Sequence, residues 1–127
     1  MDTARLFLHV LAATVWVGGQ IVLAAAVPAL RGVSADASRA AARAYNRIAW
    51  PAFALLIATG IWNIAAEGDR GSSYRRTLAI KLVVVAVSGV TAFAHMRATT
   101  PRARAVLGAA TGASAILALL LGIILAG

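Results

Sequence analysis

The fold of this chain is decided by residues 6–27, which read LFLHVLAATVWVGGQIVLAAAV. The segment has no Asp, Glu, Lys or Arg, and only His9, Thr14 and Gln20 interrupt its apolar character. A helix needs about 20 mostly apolar residues to cross a bilayer, whereas the core of a signal peptide has only about 7–15. The segment therefore predicts a transmembrane helix that is retained.

Three further apolar segments follow, separated by short charged stretches. With their polar ends included, the four predicted spans are residues 5–27, 48–66, 77–97 and 104–126. They occupy most of the chain and leave no soluble domain, so residues 1–127 predict a single transmembrane domain. The expected fold class is all-α, an integral membrane four-helix bundle with antiparallel, up-and-down spans.

Residues 35–47 predict an interfacial helix between the first two spans. Ser34 or Asp36 can cap its start. Three arginines at every fourth position share one face of it: Arg39, Arg43 and Arg47. This face can lie on anionic headgroups or be solvated, and the helix can continue directly into the second span.

The composition also indicates a membrane protein. Hydrophobic residues make up 61% of the 127 positions and charged residues 13%, whereas soluble domains have about 45–50% and about 25%. The chain contains no cysteine, which excludes a disulfide framework, a thiolate metal site and a cysteine nucleophile.

The net charge of +8 is mainly an orientation signal. The side that holds both termini and the second loop carries four basic residues: Arg5, Arg70, Arg75 and Arg76. The first and third loops carry seven: Arg31, Arg39, Arg43, Arg47, Arg97, Arg102 and Arg104. The positive-inside rule predicts that these loops are cytoplasmic and that both termini are outside a cell (inner or plasma) membrane. Because the basic residues flank the spans and form no basic face, we expect the lipid bilayer as partner and no nucleic acid.

Three spans each carry one stripe of residues at helical spacing. These stripes are His9, Ala13, Trp16 and Gln20 in the first span, Thr59 and Asn63 in the second, and Thr77, Lys81, Ser88 and His95 in the third. Each set fits the repeat of about 3.6 residues, so the stripes are expected to face one another in the bundle core. At about 1.5 Å per residue, His9, Lys81 and Asn63 share one outer depth, and His95 lies about 21 Å deeper than Lys81.

Each candidate side chain has two interpretations. Lys81, the only lysine, is a functional candidate by default inside a span, or it extends its amine to the outer headgroups. His9 is either a hydrogen-bonding core residue or a ligand. His95 and Met96 are either a soft metal pair or interface residues, although helix neighbours point about 100° apart.

The fourth span carries a stripe of small residues, Gly108, Gly112, Ala115 and Gly122. Small residues let helices approach closely in lipid. The Gly108/Gly112 face either packs within the bundle or forms a homo-oligomer.

Three segments carry a family resemblance. They are LFLHVLAATVWVGG (residues 6–19, followed by PAL at 28–30), RIAWPAFALLIATGIWN (47–63) and LAIKLVVVAVS (78–88). The set of motifs, LHxxAxxxWxGG, the TG of the second span and the KL of the third, resembles the copper-resistance D (CopD) family. It is also similar to HemJ-type protoporphyrinogen oxidases.

The HemJ-like resemblance implies haem b, with His9 as axial ligand and Lys81 as second ligand or propionate partner. Trp16, Thr59, Trp62 and Asn63 would line the pocket, and Arg70, Arg75 or Arg76 would pair with propionates. The leading hypothesis is therefore haem b binding for electron transfer or porphyrin-related redox chemistry, by a membrane oxidoreductase.

The CopD resemblance implies copper binding or transport across the membrane. Copper(I) prefers Cys, Met and His ligands, and this chain offers His9, His95 and Met96. A third hypothesis is a non-catalytic membrane subunit that docks a redox or transport partner.

Overall fold

A computed structural model describes residues 3–127, and these form helices joined by short connections with no strand among them. The helices are α1 (Thr3–Ala13), α2 (Gly19–Val33), α3 (Ala35–Glu67), α4 (Ser72–Arg97) and α5 (Pro101–Ala126), with a π-helical segment (Thr14–Gly18) between α1 and α2. Over the described chain, four helical stretches are long and apolar enough to cross a membrane: Thr3–Val33, Ala35–Glu67, Ser72–Arg97 and Pro101–Ala126. The predicted all-α class with four membrane-crossing helices is confirmed.

Local chemistry accounts for where the helices begin. Ser34 is extended, and its Oγ accepts a hydrogen bond of 2.9 Å from the backbone N–H of Ala37, which caps α3. Thr100 caps α5 in the same way, through a 3.2 Å bond from Ala103 N–H, and Pro101 follows at the first helical position. The turn before α4 uses Gly68 and Gly71, whose φ values of 68° and 104° favour glycine.

Helix α3 runs from residues 35–47 directly into the second predicted span, which is one of the two arrangements that the sequence allowed. It runs for 33 residues, through residues 35–47 and on through the second predicted span, and it includes Pro51. Its length is about 50 Å, whereas the hydrocarbon core of a bilayer is about 30 Å thick. Residues 35–47 are therefore the first turns of a long membrane helix, on which Arg39 pairs with Asp36 at 2.9 Å.

The π-helical segment is a feature that the sequence analysis missed. A π turn holds one residue more than a regular turn, so the helix beyond it is rotated by about 100°. Gln20 is consequently turned out of line with His9, and the single stripe predicted for the first span is interrupted. The hydroxyl of Tyr45 donates to the carbonyl of Trp16 at 2.8 Å, which satisfies a backbone acceptor within the segment.

The chain divides into two compact units, Met1–Ala66 and Glu67–Gly127. Among the described residues, the first unit holds α1, the π-helical segment, α2 and nearly all of α3. The second unit is the helical hairpin of α4 and α5.

The second unit buries small or polar residues and exposes large apolar ones. Ser88, Thr111 and Ala115 are buried in the second unit, while Val90 and Ile123 are largely exposed. A soluble hairpin would show the opposite distribution. The exposed apolar side chains fit a lipid environment, where close packing and hydrogen bonds hold helices together.

Candidate functional site

His9 is held by Thr59 in the first unit, and the hydrogen bonds determine its tautomer. His9 Nδ1 lies 2.7 Å from Thr59 Oγ1, which in turn lies 2.7 Å from the carbonyl oxygen of Leu55. A carbonyl oxygen can only accept, so Thr59 donates its one proton to Leu55 and accepts from His9. A neutral His9 therefore carries its proton on Nδ1 and its lone pair on Nε2.

The other residues predicted to line a pocket near His9 have different surroundings. Trp16 is buried and packs on Phe53 and Trp50, with ring centroids 4.5 Å and 5.4 Å away. Trp62 is 46% exposed, and its role in a pocket stays a prediction. Asn63 Oδ1 is buried and has no hydrogen-bond partner among the residues that the structure describes.

Arg5 is a buried charged residue at the start of the first span. It is only 3% exposed, although the orientation argument counted it among the basic residues that flank the spans. Arg5 precedes His9 by four residues on α1, so the two side chains share one face of the helix. This spacing is the sequence signal that could have identified Arg5 as an interior residue.

Lys81 lies against a glycine of the opposite helix in the second unit. A Cβ atom on Gly122 would be 3.2 Å from Lys81 Nζ and 3.7 Å from its Cε. The lysine side chain therefore crosses α5 at a position that has no side chain. This packing is one role for Gly122 in the small-residue stripe.

Hydroxyl groups occupy the middle of the same hairpin. Thr111 Oγ1 contacts Thr91 Oγ1 at 2.9 Å and the carbonyl of Leu107 at 2.8 Å, while Ser88 Oγ donates to the carbonyl of Thr111 at 3.3 Å. Each hydroxyl has a nearby acceptor, so these groups act as hydrogen-bonding packing between the helices.

His95 lies near the other end of this hairpin and is held in the same tautomer as His9. Its Nδ1 is 2.7 Å from the carbonyl oxygen of Arg104, which can only accept. A Cβ on Gly108 would lie 3.2 Å from His95 Cε1, so the imidazole packs closely over α5. Met96 follows on α4 and is 49% exposed, which leaves the two side chains about 100° apart around the helix.

The structure brings His9 and Thr59 together, and it places Lys81 and His95 in the other unit. The pairing of His9 with Lys81 stays a prediction, as do the haem site, the copper site and a homo-oligomer through the Gly108/Gly112 face. Across residues 3–127, no group of three or more His, Cys, Asp or Glu residues is placed to hold a metal ion. Ligation by this chain would therefore rest on single imidazoles with other donors.

The helices define the chain as a multi-pass helical membrane protein. A family model described as Copper resistance protein D (CopD) matches residues 39–127. This match covers well over half of the chain, so the protein belongs to the CopD family, as the resemblance predicted. The matched residues include Lys81 and His95 but not the first-span motif with His9, and neither curated proteins nor solved structures gave a match.

Proposed function

We propose that this protein binds copper(I) through histidine imidazoles and takes part in moving copper across the membrane. The family assignment supports copper as the ion, since the matched model is described by copper resistance. Copper is then the ion that the protein transports. Its ligands must bind it tightly enough to capture it and weakly enough to release it.

The observation that carries the proposal is the way both histidines are held. Metal-ligating histidines almost always donate their second ring N–H to a carbonyl, a carboxylate or a water. His95 has this arrangement with Arg104 O, and His9 has it with Thr59 Oγ1. In each case the lone pair is on Nε2, and imidazole nitrogen is a suitable copper ligand.

Copper titration of the purified protein tests the proposal. Copper(I) is added under anaerobic conditions in competition with a chromophoric chelator, for the wild type, His9→Ala, His95→Ala and the double variant. Thr14→Ala is the matched control, because Thr14 is exposed on the same stretch as His9 and hydrogen-bonds only its own helix at Val10. We expect copper retention in the wild type and in the control, and a loss in each histidine variant.

Two results would contradict copper binding through histidine. One is a wild-type protein that takes no copper from the chelator. The other is a double variant that retains as much copper as the wild type while its helical content is unchanged.

Haem b is a second candidate, favoured by the same His9–Thr59 pair. An imidazole whose Nδ1–H is hydrogen-bonded can act as an axial ligand through Nε2, and haem would supply one-electron redox chemistry when bound. The buried Oδ1 of Asn63, one turn from Thr59, is an acceptor that a bound polar group could satisfy. Lys81, the proposed second ligand, has a packing role against Gly122 that needs no cofactor.

A visible spectrum separates the two candidates. A Soret band in protein purified from haem-replete cells, absent from His9→Ala, supports haem. A protein that is colourless and gains no band on addition of hemin excludes haem and leaves the copper proposal untouched.

A further inference from the structure

A groove lies at the end of the second unit where α4 begins and α5 ends. It encloses ≈ 190 Å³, and its lining includes Arg70, Ser73, Tyr74, Thr77, Ile124 and Leu125. The polar residues come from the start of α4 and the loop before it, and the apolar ones from the last turns of α5. The groove is therefore amphipathic, with a cation and hydroxyl groups beside aliphatic side chains.

Three neighbours hold the guanidinium of Arg70 at this groove. Its Nη1 donates to the carbonyl of Leu125 at 3.3 Å, its Cζ lies 5.0 Å from the ring centroid of Tyr74, and Glu67 Oε2 lies 3.9 Å from Nη1. The Arg70 side chain remains 42% exposed, so part of the guanidinium is accessible from outside. A planar guanidinium in a fixed position is well suited to bind a phosphate group through two N–H donors.

The groove lies at the ends of two apolar runs, the depth at which a bilayer spanned by these helices would have its phosphate groups. Ile124 and Leu125 end the apolar run of α5, and Arg70 precedes the apolar run of α4. Tyrosine is enriched at this boundary because its ring is apolar and its hydroxyl is polar. An arginine held between the ends of two membrane helices can donate its N–H groups to the phosphate of a lipid headgroup.

We propose that this groove binds the phosphate of an anionic phospholipid. The guanidinium of Arg70 and the hydroxyls of Ser73 and Thr77 receive the phosphate, and an acyl chain runs along Ile124 and Leu125. The site does not depend on copper binding, because none of its residues is a proposed copper ligand.

Native mass spectrometry of the intact protein, released from detergent with added phosphatidylglycerol or phosphatidylcholine, tests the site. We expect phosphatidylglycerol adducts on the wild type, and roughly a tenfold weaker affinity in Arg70→Gln, because one charge-assisted contact is lost. Arg102→Gln is the matched control, since Arg102 is an exposed arginine in the first turn of α5, at the other end of that helix. Its affinity for the lipid should equal that of the wild type.

A second variant separates the loss of a lipid contact from a change in folding, which Arg70→Gln could also cause because Arg70 donates a hydrogen bond to Leu125 at the end of α5. Ser73→Leu keeps Arg70 and fills the groove, so it should also reduce the adducts. Equal adducts in Arg70→Gln and Arg102→Gln, or equal adducts of the two lipids, would overturn the proposal. Inorganic phosphate that displaces the lipid completely would identify free phosphate as the ligand and overturn the lipid assignment.

Discussion

At the scale of single residues, the contact that matters most is a hydrogen bond between two spans. His9 and Thr59 are fifty positions apart, and the proton of Thr59 is committed to Leu55 within its own helix. Thr59 therefore selects the tautomer of His9, and it does so inside an apolar environment where the bond has little competition from water.

Thr59→Val tests this positioning role. Valine has nearly the shape of threonine but cannot accept the His9 proton, so His9 loses its fixed tautomer and orientation. We expect the copper(I) affinity in the chelator competition to fall by about tenfold, the lower end of the effect of losing such a hydrogen bond. Thr59→Ser keeps the hydroxyl and should stay near the wild type.

Equal affinities in Thr59→Val and Thr59→Ser would show that Thr59 only packs against His9. Nitrogen chemical shifts of His9 provide a readout that packing alone would not change. They should report Nδ1–H in the wild type and a mixture of tautomers in Thr59→Val.

Two adjacent glycines in the first unit differ sharply in their surroundings. A Cβ on Gly19 would overlap the ring of Tyr45, whereas a Cβ on Gly18 would meet nothing within 4 Å. We expect Gly19→Ala to lower the free energy of unfolding by about 1–3 kcal/mol, because the Tyr45 ring must move. Gly18→Ala should be neutral or slightly stabilising, by up to about 1 kcal/mol.

Thermal unfolding in detergent, followed by circular dichroism, compares these two variants. The same melting temperature for Gly18→Ala and Gly19→Ala would contradict the close approach of α2 and α3 at Tyr45. Tyr45→Phe serves as a further check, since it keeps the ring and removes the hydroxyl, which donates to the carbonyl of Trp16.

At the scale of helices, α4 and α5 pack by matching polar side chains with small residues. His95 lies over Gly108, Ser88 contacts Thr111, and Lys81 lies over Gly122. The polar stripe of the third span therefore faces the small-residue stripe of the fourth. The spacing of residues within each span did not predict this pairing, and the expectation that the polar stripes of three spans face one another stays a prediction.

Alanine substitutions of the two glycines in this hairpin should lower the free energy of unfolding by different amounts. Gly108→Ala brings a methyl group against the imidazole of His95, which is held by Arg104, and we expect a loss of about 1–2 kcal/mol. Gly122→Ala meets only the flexible end of Lys81, which can move aside, and should cost less than half as much. Gly32→Ala is the control, because a Cβ there meets nothing within 4 Å.

Melting temperatures in detergent measure this difference. A larger loss for Gly122→Ala than for Gly108→Ala would mean that Lys81, not His95, is the rigidly held side chain of the hairpin.

At the scale of the whole molecule, the charge distribution predicts the membrane topology. Because the sequence contains no cysteine, single introduced cysteines can report that topology. Single cysteines at exposed positions in the loops can be labelled in intact cells with a membrane-impermeant thiol reagent. Because seven basic residues mark the first and third loops, Gly32→Cys and Thr99→Cys should be labelled only after permeabilisation. Ser72→Cys, at the start of α4, should be labelled without it. The reverse pattern would invert the predicted orientation.

Most of the fold could be predicted from the sequence because hydrophobicity over some twenty residues is a local property. The four spans follow from the apolar runs, and Ser34 caps α3, as one of the two residues proposed for that role. The π-helical segment could not be predicted, because its cost is offset by a bond from Tyr45, a residue on another helix. The burial of Arg5 was not predicted, because the residue lies at the end of an apolar run, although its spacing from His9 indicated a shared helix face.

For the candidate site, the sequence by itself determined which residues are available: two histidines, one lysine, one internal methionine and no cysteine. It also placed the chain in the CopD family through its motifs. Only the tertiary structure decided how these side chains are held, with His9 on Thr59, His95 on the Arg104 carbonyl, and Lys81 across Gly122. The physical reason is that the tautomer of a histidine, or the close approach of a side chain to a helix, depends on the single atom that lies opposite that side chain. Which helix supplies that atom is set by packing and not by the periodicity of either sequence segment.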